Sequence, residues 1–457
     1  MKREYDLMLF VLLLAACIIA VPDIVRQVRY DGLLMGDEAY YHARLSANPA
    51  DQLMGRPMSL NPYHYVLRGF SHVFGRVASQ VLQFVLGLAS LMLYNSLLKR
   101  AALDAPLRYA SAFFVIVSPA FIYLYVTSNA FALAIFAIML ALYLYETSYA
   151  VSLLFYALLP FFGWIPSGVA AVVTVSWAIH QRNFRKLILP LVAIGLAGVF
   201  LALPGYMAGP VNIVEKDLVK ELITGLGAHI GFAVFTLLLS IWGLARAWKT
   251  KTRPIGIYVL IILLLAGSYG SEMIPYLIYI LAPFSAFAFL RIIGMNWNLK
   301  LIRNLTVVAL VTGIFYSSLI YADRQVSAEP HPGAADALSW LRGNSAESDV
   351  VLSHYSNGYL IEYFAERRPV MDSLFSAEPD VFVRYNDSQE IFYSRNLENT
   401  RADLDRYGIT HIFIDQAMLD GQVWTDSEEG LLFLFRNNDT FQVAYNSSEA
   451  QIWKIRR

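Results

Sequence analysis

Leu7-Met8-Leu9-Phe10-Val11-Leu12-Leu13-Leu14-Ala15-Ala16-Cys17-Ile18-Ile19-Ala20-Val21 carries no charge. With its flanks, over about 6–24, it reaches the roughly 20 residues that an apolar helix needs to cross a bilayer. Lys2 and Arg3 ahead of it and the small Ala15-Ala16 pair imitate a secretory leader. Pro22-Asp23 is a poor cleavage context and many apolar runs follow, so an uncleaved first span is expected. Further spans are expected at about 77–98, 109–126, 130–146, 150–162, 166–180, 187–207, 227–246, 255–270, 274–291 and 302–321. The whole chain is 57% hydrophobic and 15% charged, against about a quarter charged in soluble domains. That excludes a disordered chain, a nucleic-acid binder and a cytosolic enzyme.

Charge divides the chain in two. From Asp323 to Arg457 there are 22 acids and 12 bases, a net of −10, and residues 1–322 carry +10. A basic, apolar front of 1–322 and an acidic, polar back of 323–457 read as a membrane domain followed by a water-soluble one. Bases cluster in alternate loops: Lys99, Arg100 and Arg108; Arg182, Arg185 and Lys186; Arg246, Lys249, Lys251 and Arg253; Arg291, Lys300 and Arg303. The positive-inside rule then places the N-terminus in the cytoplasm and the C-terminal domain outside, after about 11 spans. Two spans within 150–180, flanking the breaker cluster Pro160–Pro166, keep that alternation. In the last 135 residues helix signals (Gly333–Leu341, Leu397–Tyr407) alternate with strand signals (Val350–Ser353, Pro369–Asp372, His411–Asp415, Phe441–Asn446, Gln451–Ile455). This is the pattern of an α/β layer fold. Asn386, Asn438 and Asn446 open glycosylation sequons on that face. The single cysteine, Cys17, permits no intrachain disulfide.

Chemistry concentrates in the first outer loop, 25–76. Gly36-Asp37-Glu38-Ala39-Tyr40-Tyr41-His42-Ala43-Arg44 sets two carboxylates beside a membrane face, where charge is costly unless used or solvated. If a helix starts here, Glu38 shares a face with His42, and Asp37 with Tyr41. Helix-start N–H groups favour the ionised acid. Such an Asp can take a proton from an acceptor hydroxyl or bind a divalent cation. An N-cap followed by a solvated acidic pair is the bland alternative. The same loop holds Arg26, Arg29, Arg44, Arg56, Arg68 and Arg76, against the positive-inside bias. Guanidinium groups grip phosphate in a bidentate way, or they meet anionic headgroups. Elsewhere, 212–226 patterns as an interfacial helix carrying Glu215 and Glu221, and Glu272 sits at an outer span end. No Walker loop, zinc spacing, dinucleotide fingerprint or serine elbow is present.

Gly36-Asp37-Glu38-Ala39-Tyr40-Tyr41, then Gly55-Arg56-Pro57 and Asn61-Pro62-Tyr63-His64-Tyr65, ahead of a span ending Leu97-Leu98-Lys99-Arg100, resemble the start of GT-C glycosyltransferases. The similarity is to the dolichyl-phosphate-mannose mannosyltransferase and aminoarabinose transferase type. Residues 37–45 also resemble the first acidic motif of the archaeal oligosaccharyltransferase catalytic subunit. The stretch from Val351 to Tyr359 is similar to the region of its Trp-Trp-Asp-Tyr-Gly motif, with His354 and Tyr355 at the two Trp positions and Ser356 or Asn357 at the Asp. Thr127-Ser128-Asn129 stands where a second acidic motif is expected.

The resemblance implies a membrane enzyme that moves a sugar from a polyprenyl-phosphate donor on the outer face, and it suggests an archaeal source. Asp37 would be base or metal ligand and Glu38 a supporting carboxylate. Arg44 and Arg56 would contact the donor phosphate. Tyr41, His42, His354, Tyr355 and Asn357 would face the acceptor, and Glu215 would complete a site for Mg or Mn. Partners would be the lipid-linked donor, membrane lipids and an unspecified acceptor, with no nucleic acid. A non-catalytic relative that binds a lipid-linked glycan, or a flippase, stays open at this point.

Overall fold

The structure is a computed structural model that describes residues 2–182, 184–202, 222–226, 228–249, 271–378 and 380–456. It divides into two compact units. One comprises residues 2–25 and the described parts of 60–327. The other joins residues 26–59 to 328–456.

The first unit is helical. Among the described residues, four helices are long and apolar enough to cross a membrane: Asp6–Arg29, Pro62–Arg100, Ile274–Gly294 and Lys300–Val326. The second begins well before the expected 77, so the first loop is shorter than 25–76. Asn61 starts that helix by accepting the Tyr63 N–H at 3.0 Å, with Pro62 at the first helical position. The expected span 109–126 is instead two helices, Ala105–Ile116 and Pro119–Val126, bent by 67°. Pro119 removes a ladder donor, and the Ser118 hydroxyl caps the second helix at the Phe121 N–H, 3.1 Å away. Phe131–Thr147 and Tyr149–Phe162 are shorter apolar helices. Gly163, at φ 121, separates Leu159–Phe162 from Trp164–Gln181, so 150–180 holds two helices. The expected span 255–270 and residues 212–221 of the expected interfacial helix, Glu215 and Glu221 among them, lie outside the described residues.

Close helix contact in this unit uses small and polar residues, as expected where lipid supplies no hydrophobic drive. A Cβ on Gly243 would lie 2.1 Å from the Phe284 carbonyl oxygen. Ser240 and Ser285 share a hydrogen bond of 2.5 Å. The Tyr94 hydroxyl donates to the Tyr279 carbonyl at 2.9 Å.

The second unit contains a five-stranded sheet: β1 Val350–Leu352, β2 Arg368–Pro369, β3 Ile409–Asp415, β4 Phe441–Asn446 and β5 Ala450–Ile455. Its order is β2-β1-β3-β5-β4. β1 pairs in parallel with β2 and β3, while β5 is antiparallel to β3 and β4. β3 is buried on both faces, as an apolar central strand must be. Ile412 and Ile414 enter one core with Trp424 and Phe392. Phe413 points the other way, to Leu338, Leu341 and Ile452. Tyr40, from helix Asp37–Ala47, joins this second core. The first loop is therefore built into the unit that carries the sheet. Arg26 secures its entry by donating to four carbonyls, those of Leu33, Leu34, Ala328 and Pro330, at 2.7–3.2 Å.

Candidate active site

Gly36, at φ 75, turns the chain into helix Asp37–Ala47, a conformation that a side chain would strain. Asp37 and Glu38 therefore occupy the first turn, where free N–H groups favour negative charge. Asp37 is half-buried. Burial and the neighbouring Glu38 charge push its carboxyl up to about 6, against backbone N–H groups and the Ser373 hydroxyl, which pull it down. The Ser373 Oγ donates to Asp37 Oδ2 at 3.3 Å. A carboxyl poised near neutrality is suited to accept a proton. Glu38 Oε1 lies 3.5 Å from His42 Nε2. The imidazole is buried, and burial drives its pKa down to about 3, so it is neutral. Glu38 and His42 share a helix face, as expected.

Tyr41 packs on Tyr359, with ring centroids 4.7 Å apart. Tyr355 packs at a tilt against His354, ring centroids 4.1 Å apart, and meets Phe375 edge-on at 5.0 Å. The Asp37 charge is among the influences that raise the Tyr355 pKa, after burial and Tyr385. His354 Nδ1 contacts the Ser356 Oγ at 2.8 Å and the Gln422 amide at 3.0 Å. Its pKa is lowered by burial to about 4. Asn357 is buried. Its amide donates to the Ser353 Oγ at 3.1 Å and it bonds the Asp415 side chain, so it braces the turn before Gly358.

Arg44 and Arg56 are already engaged by buried acids. Arg44 meets Asp51 at 2.9 and 3.3 Å and pairs with Glu362. Arg56 grips Asp372 with two bonds, 2.7 and 3.0 Å, and also pairs with Glu378. Arg384 lies 3.7 Å from Glu378. Gly55, at φ 67, closes the loop that bridges Asp51 to Arg56 and so aims the guanidinium. Asp372 and Glu362 are fully buried. Burial raises the Glu362 pKa well above the usual carboxylate range, and the Asp372 charge adds to it. Sequence reasoning missed Asp51, Glu362, Asp372, Ser373 and Glu378. Only Asp372 carried a signal, at the end of an expected strand.

Three solved structures share this architecture. The Archaeoglobus fulgidus oligosaccharyltransferase AglB, in complex with an inhibitory peptide and a dolichol-phosphate, matches at TM-score 0.59 and 14% identity, over 98% of this chain and 74% of that one. The same organism's oligosaccharyltransferase in complex with Zn and sulfate gives 0.57 and 16%, over 97% and 73%. ArnT from Cupriavidus metallidurans, bound to undecaprenyl phosphate, gives 0.53 and 11%, over 95% and 97%. The fold is that of the GT-C glycosyltransferases. No family model matches the chain, and no curated protein matches it.

Within this GT-C fold, the described residues do not assemble a metal site. No group of three or more His, Cys, Asp or Glu among them is placed to hold an ion. Asp37 has Glu38 beside it, and Glu215 lies outside the described residues. Thr127 and Asn129 serve the backbone instead, and the Ser128 hydroxyl meets that of Tyr63 at 2.8 Å. The Thr127 hydroxyl donates to the Tyr123 carbonyl, and the buried Asn129 amide donates to the carbonyls of Tyr123, Leu124 and Thr127 at 2.9–3.3 Å. Those bonds satisfy a helix end that would otherwise leave buried acceptors unpaired.

Proposed function

We propose that the chain is an integral membrane glycosyltransferase that moves a sugar from a polyprenyl-phosphate donor to a lipid, glycan or protein acceptor, with Asp37 as general base. One observation carries the reading: a carboxyl at a helix start, pushed up to about 6, on the first loop of a GT-C fold. The dolichol-phosphate and undecaprenyl phosphate of the neighbours support the donor class. The distribution of bases supports a cytoplasmic N-terminus and an outer-face site.

In the reaction, Asp37 accepts the acceptor's O–H proton as that oxygen attacks the anomeric carbon. The bond from that carbon to the phosphate oxygen breaks, and the lipid phosphate leaves with the electron pair. One displacement inverts the anomeric centre. Glu38 stays beside neutral His42. Tyr41, His354 and Tyr355 supply aromatic and polar surface for the acceptor, while Asn357 acts by holding the turn. We reassign Arg44 and Arg56 from phosphate contacts to braces, because each would have to abandon buried carboxylates to reach a ligand.

The test uses purified protein in lipid with radiolabelled dolichyl-phosphate mannose, dolichyl-phosphate glucose and undecaprenyl-phosphate aminoarabinose, with and without EDTA. Sugar release from one donor, with inversion in the product, is expected. Tight donor binding without any release would favour the second reading, a non-catalytic binder of lipid-linked glycans. The absence of a carboxylate from Thr127-Ser128-Asn129 is the observation on that side.

A further inference from the structure

We propose that the turn Asp372-Ser373-Leu374 is a positioning device for Asp37, in which the Ser373 hydroxyl holds the carboxylate in the orientation that takes the acceptor proton. This rests on the reading of Asp37 as base. Ser373 Oγ stands 3.3 Å from Asp37 Oδ2 and 3.5 Å from the Tyr355 carbonyl oxygen. The hydroxyl has one proton to donate, and the ionised carboxylate is the stronger acceptor. Such bonds are commonly long in apo sites and tighten in the reacting complex.

The turn itself is held rigidly by other groups. Asp372 is fully buried, and Arg56 clamps both of its carboxylate oxygens. Its Oδ1 also accepts the Leu374 N–H at 2.8 Å, which closes the turn around Ser373. From the other side Gly358 presses on the Asp372 backbone, where even a methyl group would sit 2.5 Å from Cα. Three independent restraints therefore fix residue 373 without using its side chain. A serine whose backbone is already fixed, and whose hydroxyl meets the proposed base, is placed to orient that base and not to hold the fold. It follows that Ser373→Ala removes the bond and leaves the turn in place.

The experiment compares wild type, Ser373→Ala, Ser373→Thr, Asp37→Asn and the Ser373→Ala/Asp37→Asn double variant as full chains in lipid, with the three radiolabelled donors named above. Ser373→Ala is expected to lower kcat between about tenfold and a hundredfold, the scale of a misplaced catalytic group. KM should stay within about twofold, as for a group that acts only in the transition state. Ser373→Thr, which keeps the hydroxyl, should restore most of the rate, and Ser373→Ala should cost nothing further once Asp37 is Asn. Asp37-dependent turnover that is indifferent to Ser373 would overturn this proposal and leave the base standing. A loss that Thr does not rescue, or one that persists undiminished in the Asp37→Asn background, would overturn it in the same way. Equal turnover by wild type and Asp37→Asn, or none from any donor, would overturn the reading of Asp37 and the role of Ser373 with it.

Discussion

Replacing Arg56 by Ala should unfold the sheet-bearing unit far more easily than loss of one surface charge would. The Arg56 side chain is 8% exposed, that of Asp372 0% and that of Glu378 2%. Removing the guanidinium leaves Asp372 with no counter-charge at bonding distance among the described residues, while Glu378 keeps Arg384 at 3.7 Å. Breaking one partner of a buried pair costs about 3–5 kcal/mol, because the remaining charge stays desolvated. For a unit of this size each kcal/mol moves the midpoint by roughly 2–4 °C, so a fall of about 6–20 °C is expected. The assay is thermal unfolding of the full chain in detergent, followed by tryptophan fluorescence. Arg56→Met with Asp372→Asn should lose less than the two single changes together, since no charge is then stranded. A drop below about 3 °C, or strict additivity, would show that water reaches the network and that no charge is stranded by the loss of Arg56.

Other outcomes follow from the same structure. Sugar release should be flat above about pH 6 and fall roughly tenfold per unit below it, because Asp37 must be ionised to accept a proton; a rate–pH profile that is level from 5 to 8 would contradict this. Glu362 binds its proton more tightly folded than unfolded, so its contribution to stability is full below the unfolded carboxyl range and is lost as pH rises through the raised folded value. Glu362→Gln should therefore reduce the fall in melting temperature between pH 6 and pH 9, and an unchanged fall would rule out a protonated Glu362. In the helical unit, Gly243→Leu should separate the helices that carry Gly243 and Phe284 and lower stability by about 1–3 kcal/mol, the usual cost of overpacking; a wild-type unfolding curve would show that the helices do not meet there.

Local signals were legible where one residue pattern decides one element. The five strands lie within a few residues of the segments marked by β-branched and aromatic runs, because such side chains suit a buried sheet like the one centred on β3. The helix start at Asp37 was legible as well, since Gly36 and two acids form a recognisable first turn. Span boundaries were harder. Hydropathy cannot see that Ser118-Pro119 bends a continuous apolar run by 67°, because the break comes from a missing donor and a capping hydroxyl. The roles of the arginines were illegible for a different reason. Arg56 and Asp372 are 316 positions apart, and nothing local to either names the other. A basic loop beside a membrane suggests phosphate, yet Arg44 and Arg56 are met by Glu362, Asp372 and Glu378 from the far end of the chain. Ser373 was invisible on the same grounds, since its meaning lies in the carboxylate it meets across 336 positions.

The proposed chemistry turns on Asp37 taking the proton in sugar transfer. Single-turnover sugar release by wild type and Asp37→Asn decides this, at a donor concentration that saturates both and with donor affinity measured in parallel. Asn keeps the shape of the side chain and removes its basicity. Release should fall at least about a hundredfold, the scale of general-base catalysis, with donor affinity and melting temperature essentially unchanged. Release at the wild-type rate from a folded, donor-bound Asp37→Asn protein would mean that Asp37 is not the base.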